Sequence, residues 1–151
     1  MKTTELLDIV RKQRENLNNF HEVVLLKQQA LIVNDLKGIE GAIAREEKLI
    51  SLIERTEKSR IEILGNLKKH LNLQLSSNRI NEFLSEAKQY LDAKLIKMLE
   101  RETEIIEQLV EEIQLINQQN QFLINNAREF IKGIINAVTR SGSKAIFDRK
   151  I

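Results

Sequence analysis

The sequence predicts an all-α protein: an elongated antiparallel three-helix bundle or coiled coil, with a short extra helix between the second helix and a long C-terminal helix. The 151 residues include no Pro and only five Gly, so long stretches lack the residues that interrupt helices. Aromatic residues make up 4% and charged residues 30%, a composition that disfavours β-sheet. Apolar residues recur at three- and four-residue steps, which is the helical period.

The longest such segment runs from Tyr90 to Thr139. At 1.5 Å per residue it would span ~75 Å. A straight helix cannot cover its own apolar stripe, so we expect other helices to cover it. The stripe consists of Leu91, Leu95, Met98, Ile105, Leu109, Ile113, Ile116, Leu123, Phe130 and Ile134.

Two shorter helices precede it, and we predict them over residues 4–33 and 36–70. Thr3 or Thr4 suits the start of the first helix, and Asn34-Asp35 suits the turn between the two. The expected buried stripe of the first helix is Leu6, Val10, Leu17, Phe20, Val24 and Leu31. That of the second helix is Leu36, Ile39, Ile43, Ile50, Ile53, Ile61, Leu64 and Leu71.

The segment NLQLSSN, residues 72–78, predicts a loop, because Ser and Asn favour turns and helix caps. A short helix is expected over residues 79–87, and the sequence leaves open whether it bends into the long helix or is continuous with it. Residues 1–140 form one predicted bundle domain. The remainder, SGSKAIFDRKI, is a basic tail with three large apolar side chains, and we expect it to be flexible or ordered by a partner.

The side chains needed for catalysis are scarce. The chain has no Cys and only two His, at positions 21 and 70, without a Glu-x-x-His spacing. Gly-rich phosphate loops and nucleophile elbows are missing. We therefore expect no enzyme activity, no metal and no cofactor.

The charge pattern and hydropathy exclude other classes of protein. A net charge of +2 with interspersed signs does not predict nucleic-acid binding. No window approaches 18 apolar residues, so no membrane-spanning helix is expected. The first residues lack the apolar core of a signal peptide. Together with the lack of Cys, this favours a cytoplasmic protein.

Asn120 falls on the apolar stripe of the long helix, midway between Ile116 and Leu123. An amide at such a position can fix the register and the number of packed helices. The alternative is that the surrounding amides, between residues 117 and 126, bind polar groups of a partner helix.

The unequal helix lengths predict a binding surface. The first two helices would span ~45 and ~53 Å, so one end of the third should extend beyond them. An apolar surface left exposed there is a binding site or an aggregation hazard. The residues predicted to contact a partner are Asn120, Leu123, Phe130, Ile131, Ile134, Ile135 and Val138, with Phe147 in the tail.

These residues and their order resemble the flagellar type III export chaperones of the FlgN type. An Asp35-Leu36 step opens the second helix, and the run EEKLISLIERTEKSRIEIL follows. An Asn-x-x-Asn step at Asn117 and Asn120, followed by Leu123, lies in the long C-terminal helix. The family tail tends to carry an aromatic residue, often Tyr, and the nearest match in this chain is Phe147.

The resemblance implies a cytoplasmic chaperone with an antiparallel three-helix fold. Its C-terminal helix and tail would hold the helical C-terminal ends of hook-associated proteins, prevent their premature assembly and deliver them to the flagellar export apparatus.

Two other functions fit parts of the sequence. A structural coiled coil or scaffold would use the same stripe for self-association, which makes a homo-oligomer compatible with the pattern. A peripheral membrane protein or a binder of acidic partners would use Phe147 with Lys144, Arg149 and Lys150. Three basic residues are fewer than a usual polybasic cluster.

Overall fold

The computed structural model describes residues 2–140 of the chain, and these residues form helices and connections without a strand. The helices are α1 (Lys2–Ile32), α2 (Leu36–His70), α3 (Ile80–Ala87) and α4 (Ala93–Arg140). The all-α prediction is confirmed. The open question about α3 is also answered, since a turn over residues 88–92 separates it from α4. The tail, with Phe147, lies outside the described residues.

α1 and α2 form an antiparallel hairpin. Gln13 near the middle of α1 donates to Glu57 Oε2 at 2.5 Å, and Lys27 near its end pairs with Glu46 at 3.2 Å. A higher residue number in α1 is thus paired with a lower residue number in α2, so the two helices run in opposite directions. The hairpin is thus held together by polar contacts at its borders as well as by apolar packing.

α4 runs parallel to α1, so successive long helices alternate in direction. Arg14 pairs with Glu102 at 2.6 Å, and His21 Nε2 lies 3.1 Å from Glu112. α1 therefore packs between α2 and α4. Within the described residues, no Cα of α2 comes within 8 Å of a Cα of α4.

The turn between α1 and α2 is built by Asn34 and Asp35. Asn34 adopts a left-handed φ of 56°, and the Asp35 N–H donates to the carbonyl of Ala30 at 2.9 Å. This six-to-one bond closes a helix in the Schellman manner, with Asn in the position that Gly more often takes. The Asp35 side chain then accepts from Gly38 N at 3.1 Å and caps α2.

The main apolar core lies at the α3 end of the bundle. α3 is short, but Phe83 and Ala87 are fully buried. Its apolar face fits between the ends of the three long helices and closes that end. The core cluster consists of Leu6, Leu7, Val10, Leu64, Leu67, Phe83, Leu84, Ala87, Ile96 and Leu99.

α2 is less buried than its sequence pattern predicts. Leu36 is 68% exposed, Ile43 40%, Ile50 43% and Ile61 37%, although all four belong to the expected buried stripe. That part of the prediction is wrong. The physical reason is that α1 covers one side of α2, while α4 is too far away to cover the other. The residues of α2 that are buried are Ala42, Thr56, Arg60, Leu64 and Leu67.

Arg60 fastens the loop after α2 to the bundle. Its side chain is 11% exposed. The guanidinium donates to both carboxylate oxygens of Glu57 at 2.8 and 2.7 Å, and to the carbonyl of Asn78 at 2.9 Å. Hydrogen bonding from Arg60 holds the pKa of Glu57 below its ordinary value, against the opposing effect of burial. The loop that precedes α3 is thereby fixed to the side of α2.

Asn120 is the polar residue most deeply enclosed in α4, with 2% of its surface exposed. Its Nδ2 donates to the carbonyl of Val24 at 3.1 Å, which ties α4 to α1. Its Oδ1 is buried and has no hydrogen-bond partner among the described residues. Such an oxygen lowers stability, because its hydration is lost without replacement.

Replacing Arg60 by Ala should lower the free energy of unfolding by about 2 kcal/mol, because three charge-assisted hydrogen bonds are lost. The measurement is urea denaturation at neutral pH. Arg55→Ala, on the exposed side of the same helix, is the matched control and should change stability by less than about 0.5 kcal/mol.

The Arg60→Ala effect should also depend on pH. Because the pKa of Glu57 is lowered in the folded state, its contribution is present above its ordinary pKa and is lost as pH falls through the lowered value. The difference between wild type and variant should therefore shrink in acid. An equal difference at neutral pH and in acid would contradict the role given to this ion pair.

Replacing Asn120 by Leu should raise the free energy of unfolding by about 1 kcal/mol, since it removes a buried oxygen without a partner. Thermal and urea unfolding would measure this. A loss of stability instead would mean that the Nδ2 bond to the Val24 carbonyl stabilises the fold by more than the unpaired oxygen costs.

Candidate partner-binding surface

α4 continues well beyond the end of the α1–α2 hairpin. Gln28, in the last turns of α1, donates to Gln119 at 2.8 Å, and α1 ends one turn later at Ile32. From Asn125 to Arg140, α4 extends for sixteen more residues, or ~24 Å. We call residues 125–140 the overhang. Every residue from 125 to 137 is exposed.

The predicted partner-binding residues are largely on the overhang. Phe130 is 70% exposed, Ile131 55%, Ile134 48% and Ile135 49%. Leu123 and Val138 are half-buried and lie on either side of them along the helix. We call these six residues the overhang strip. Asn120 lies inside the bundle, apart from the strip, and Phe147 lies outside the described residues.

The overhang strip continues the face of α4 that α1 covers. Successive residues of a helix are ~100° apart, so positions three, four and seven residues apart lie on one side. Leu109, Ile113 and Ile116 are buried on this side within the bundle, and Ile131 and Ile134 follow in the same register. The strip is exposed because α1 ends, not because the pattern of α4 changes.

Apolar residues at the tip of the hairpin lie at the foot of the overhang. Ile32 is 56% exposed, and Val33 and Leu36 are each 68% exposed. Our sequence reasoning did not include Ile32 and Val33 in the site. A signal was present in the sequence, because large apolar residues flank the polar turn of Asn34 and Asp35.

A groove separates α2 from α4, with α1 as its floor. Its volume is about 310 Å³, and α3 limits one end through Ile80. The sequence did not predict this groove, because its existence depends on the distance between two helices that are not neighbours. The principal lining residues are Val10, Leu17, Ile53, Ile106 and Val110, with the ion pair of Glu57 and Arg60 at its edge.

A smaller apolar patch lies beside the Leu123 end of the strip. Leu115 is 56% exposed and Phe122 65%, two helical turns apart. The amides between them, at positions 117, 118, 119 and 121, are exposed, in contrast to Asn120. Most of the amide band therefore faces away from the bundle.

The described residues contain no group of His, Asp and Glu side chains that could hold a metal ion. Hydrogen bonds from Ser77 and Ser76 lower the pKa of Glu82 to about 2. Through these bonds the Glu82 carboxylate holds the loop before α3 against that helix. Over the same range, no helix is long and apolar enough to cross a membrane.

Comparison with known proteins identifies the family. The family model described as FlgN protein matches residues 1–149, which include all four helices and the overhang. No curated protein and no solved structure matched the chain. The resemblance seen in the sequence is confirmed. This chain belongs to the FlgN family, whose members are chaperones of flagellar protein export.

Proposed function

We propose that this protein is a cytoplasmic export chaperone that binds the amphipathic C-terminal helices of flagellar hook-associated proteins. In this proposal it prevents their premature assembly and delivers them to the flagellar type III export apparatus. No catalytic step is involved. The observation that carries the proposal is the overhang strip, an apolar face of α4 that α1, α2 and α3 leave uncovered.

The chemistry of the strip suits a helical partner. Its residues are spaced at three, four and seven positions, which matches the apolar stripe of a second amphipathic helix. The same face is already covered by a helix, α1, up to Gln28. A cargo helix would continue this packing where α1 stops, and its own apolar stripe would be shielded until export.

The exposed area is compatible with reversible binding. Fully burying a large apolar side chain contributes ~1.5–3 kcal/mol, and about half of each Ile in the strip is already covered by its own helix. Four such side chains contribute only ~3–6 kcal/mol before the cost of association, so the apolar side chains of the cargo helix must supply much of the binding free energy of a reversible complex. Such a complex can form in the cell and still dissociate at the export apparatus.

Replacing both Ile131 and Ile135 by Glu should weaken binding of a hook-associated protein's C-terminal segment by about 100-fold or more. The reason is that two apolar contacts would become buried charges. Fluorescence anisotropy with the labelled segment would measure the affinity. Far-UV circular dichroism should show unchanged helix content, since both side chains face solvent in the free protein.

A control with the same change of charge is available on the other sides of the overhang. Asn125→Glu with Asn136→Glu places two carboxylates at exposed positions off the strip and should retain most of the affinity. If the Ile131 and Ile135 variant binds cargo as tightly as wild type, the strip is not the cargo site.

A second copy of the chain is the competing occupant of the strip. This alternative makes the protein a self-associating scaffold, and the same uncovered face supports it. Sedimentation of the protein alone at low micromolar concentration separates the two proposals. We expect a monomer that forms a complex with the cargo segment, whereas a scaffold would remain a homo-oligomer in its presence.

A further inference from the structure

The overhang strip has borders of different character. Arg128 and Lys132, one helical turn apart, lie along one border, and both are exposed. Leu123 and Phe130 lie along the other border. Among the described residues, Arg128 has no ion pair, and Lys132 has only a loose one to Glu129 at 4.0 Å, with both side chains about three-quarters exposed. The basic border is therefore available to a partner.

The charge of α4 changes sign where the bundle ends. Between residues 100 and 124 α4 carries six Glu and one Arg, and within this range Glu102 and Glu112 pair with basic side chains of α1. Between residues 125 and 140 it carries one Glu against three basic residues. The helix that covers the first part of α4 is basic at its border, so a helix that covers the second part should be acidic.

We propose that the overhang strip accepts a single amphipathic helix of about sixteen residues whose apolar stripe is bordered by Asp or Glu facing Arg128 and Lys132. This inference rests on the proposed function and specifies in addition the charge of the partner helix. The partner helix lies where α1 would be if it continued past Ile32. Like-charge contact would disfavour basic helices, and the acidic border would steer the correct ones.

The same charges disfavour a second copy as the occupant. In the acidic part of a second α4, the apolar stripe that continues into the strip already lies against its own α1, so this stripe is free only on the overhang. Pairing two overhangs would bring together two segments that each have an excess of basic residues. Complementary charge thus favours a foreign acidic helix over the pairing of two overhangs.

The test uses two synthetic sixteen-residue helical peptides with the same Leu and Ile stripe. One carries Glu on both borders of the stripe and the other carries Lys. We expect the Glu peptide to bind the full chain about tenfold more tightly than the Lys peptide by fluorescence anisotropy at low salt. This preference should fall toward physiological salt, where the screening length is ~8 Å.

A charge-reversed variant, Arg128→Glu with Lys132→Glu, should reverse the preference. The matched control, Lys94→Glu with Lys97→Glu, makes the same change in net charge at exposed positions at the other end of α4 and should leave the preference intact. Both variants keep the apolar strip, so their helix content should equal that of wild type.

The outcomes separate the two proposals. In one outcome, both peptides bind wild type equally and fail to bind the variant with Ile131→Glu and Ile135→Glu. That result would overturn the inference that the partner is acidic, but the chaperone proposal would stand. Failure of both peptides and of the cargo segment to bind would overturn both proposals. A homodimer of the chain alone that the Ile131 and Ile135 substitutions dissociate would assign the strip to a second copy and also overturn this inference.

Discussion

The packing of α1 against α4 determines most of the structure. α1 packs directly against both other long helices, whereas no Cα of α2 lies within 8 Å of a Cα of α4 in the described residues. The register of this contact is fixed by ion pairs near one end and by Asn120 and Gln28 near the other. Once that register is set, the end of α1 at Ile32 decides which part of α4 is covered and which is left as the overhang.

Periodicity predicted the helices well because it is a local property. The bounds of α2, residues 36–70, agree with the sequence prediction, and the turn at Asn34 and Asp35 lies where two residues with αL and capping preferences coincide. An overhang was also predictable, because three helices of unequal length cannot end together at both ends of a bundle. Its exposed residues, from Phe130 to Ile135, are among those the sequence predicts to contact a partner.

The features that sequence reasoning missed depend on distances between helices. An apolar residue such as Ile50 has the same periodic position whether or not a neighbour covers it, so its 43% exposure was not predictable. The groove between α2 and α4 is hidden from the sequence for the same reason. Asn120 illustrates the intermediate case: its place on the stripe was evident, but its bond to the Val24 carbonyl required the register of two helices that are distant in sequence.

The turn at Asn34 and Asp35 has a consequence for how such a protein can diversify. Inserting one heptad at the end of α1 and one at the start of α2 would lengthen both helices by the same amount. The turn would then move by about 10 Å along α4, since each helix rises 1.5 Å per residue. The core around α3 would not change. Insertions or deletions at one solvent-facing bend would thus change how much of the apolar face of α4 stays uncovered, while the rest of the scaffold is preserved.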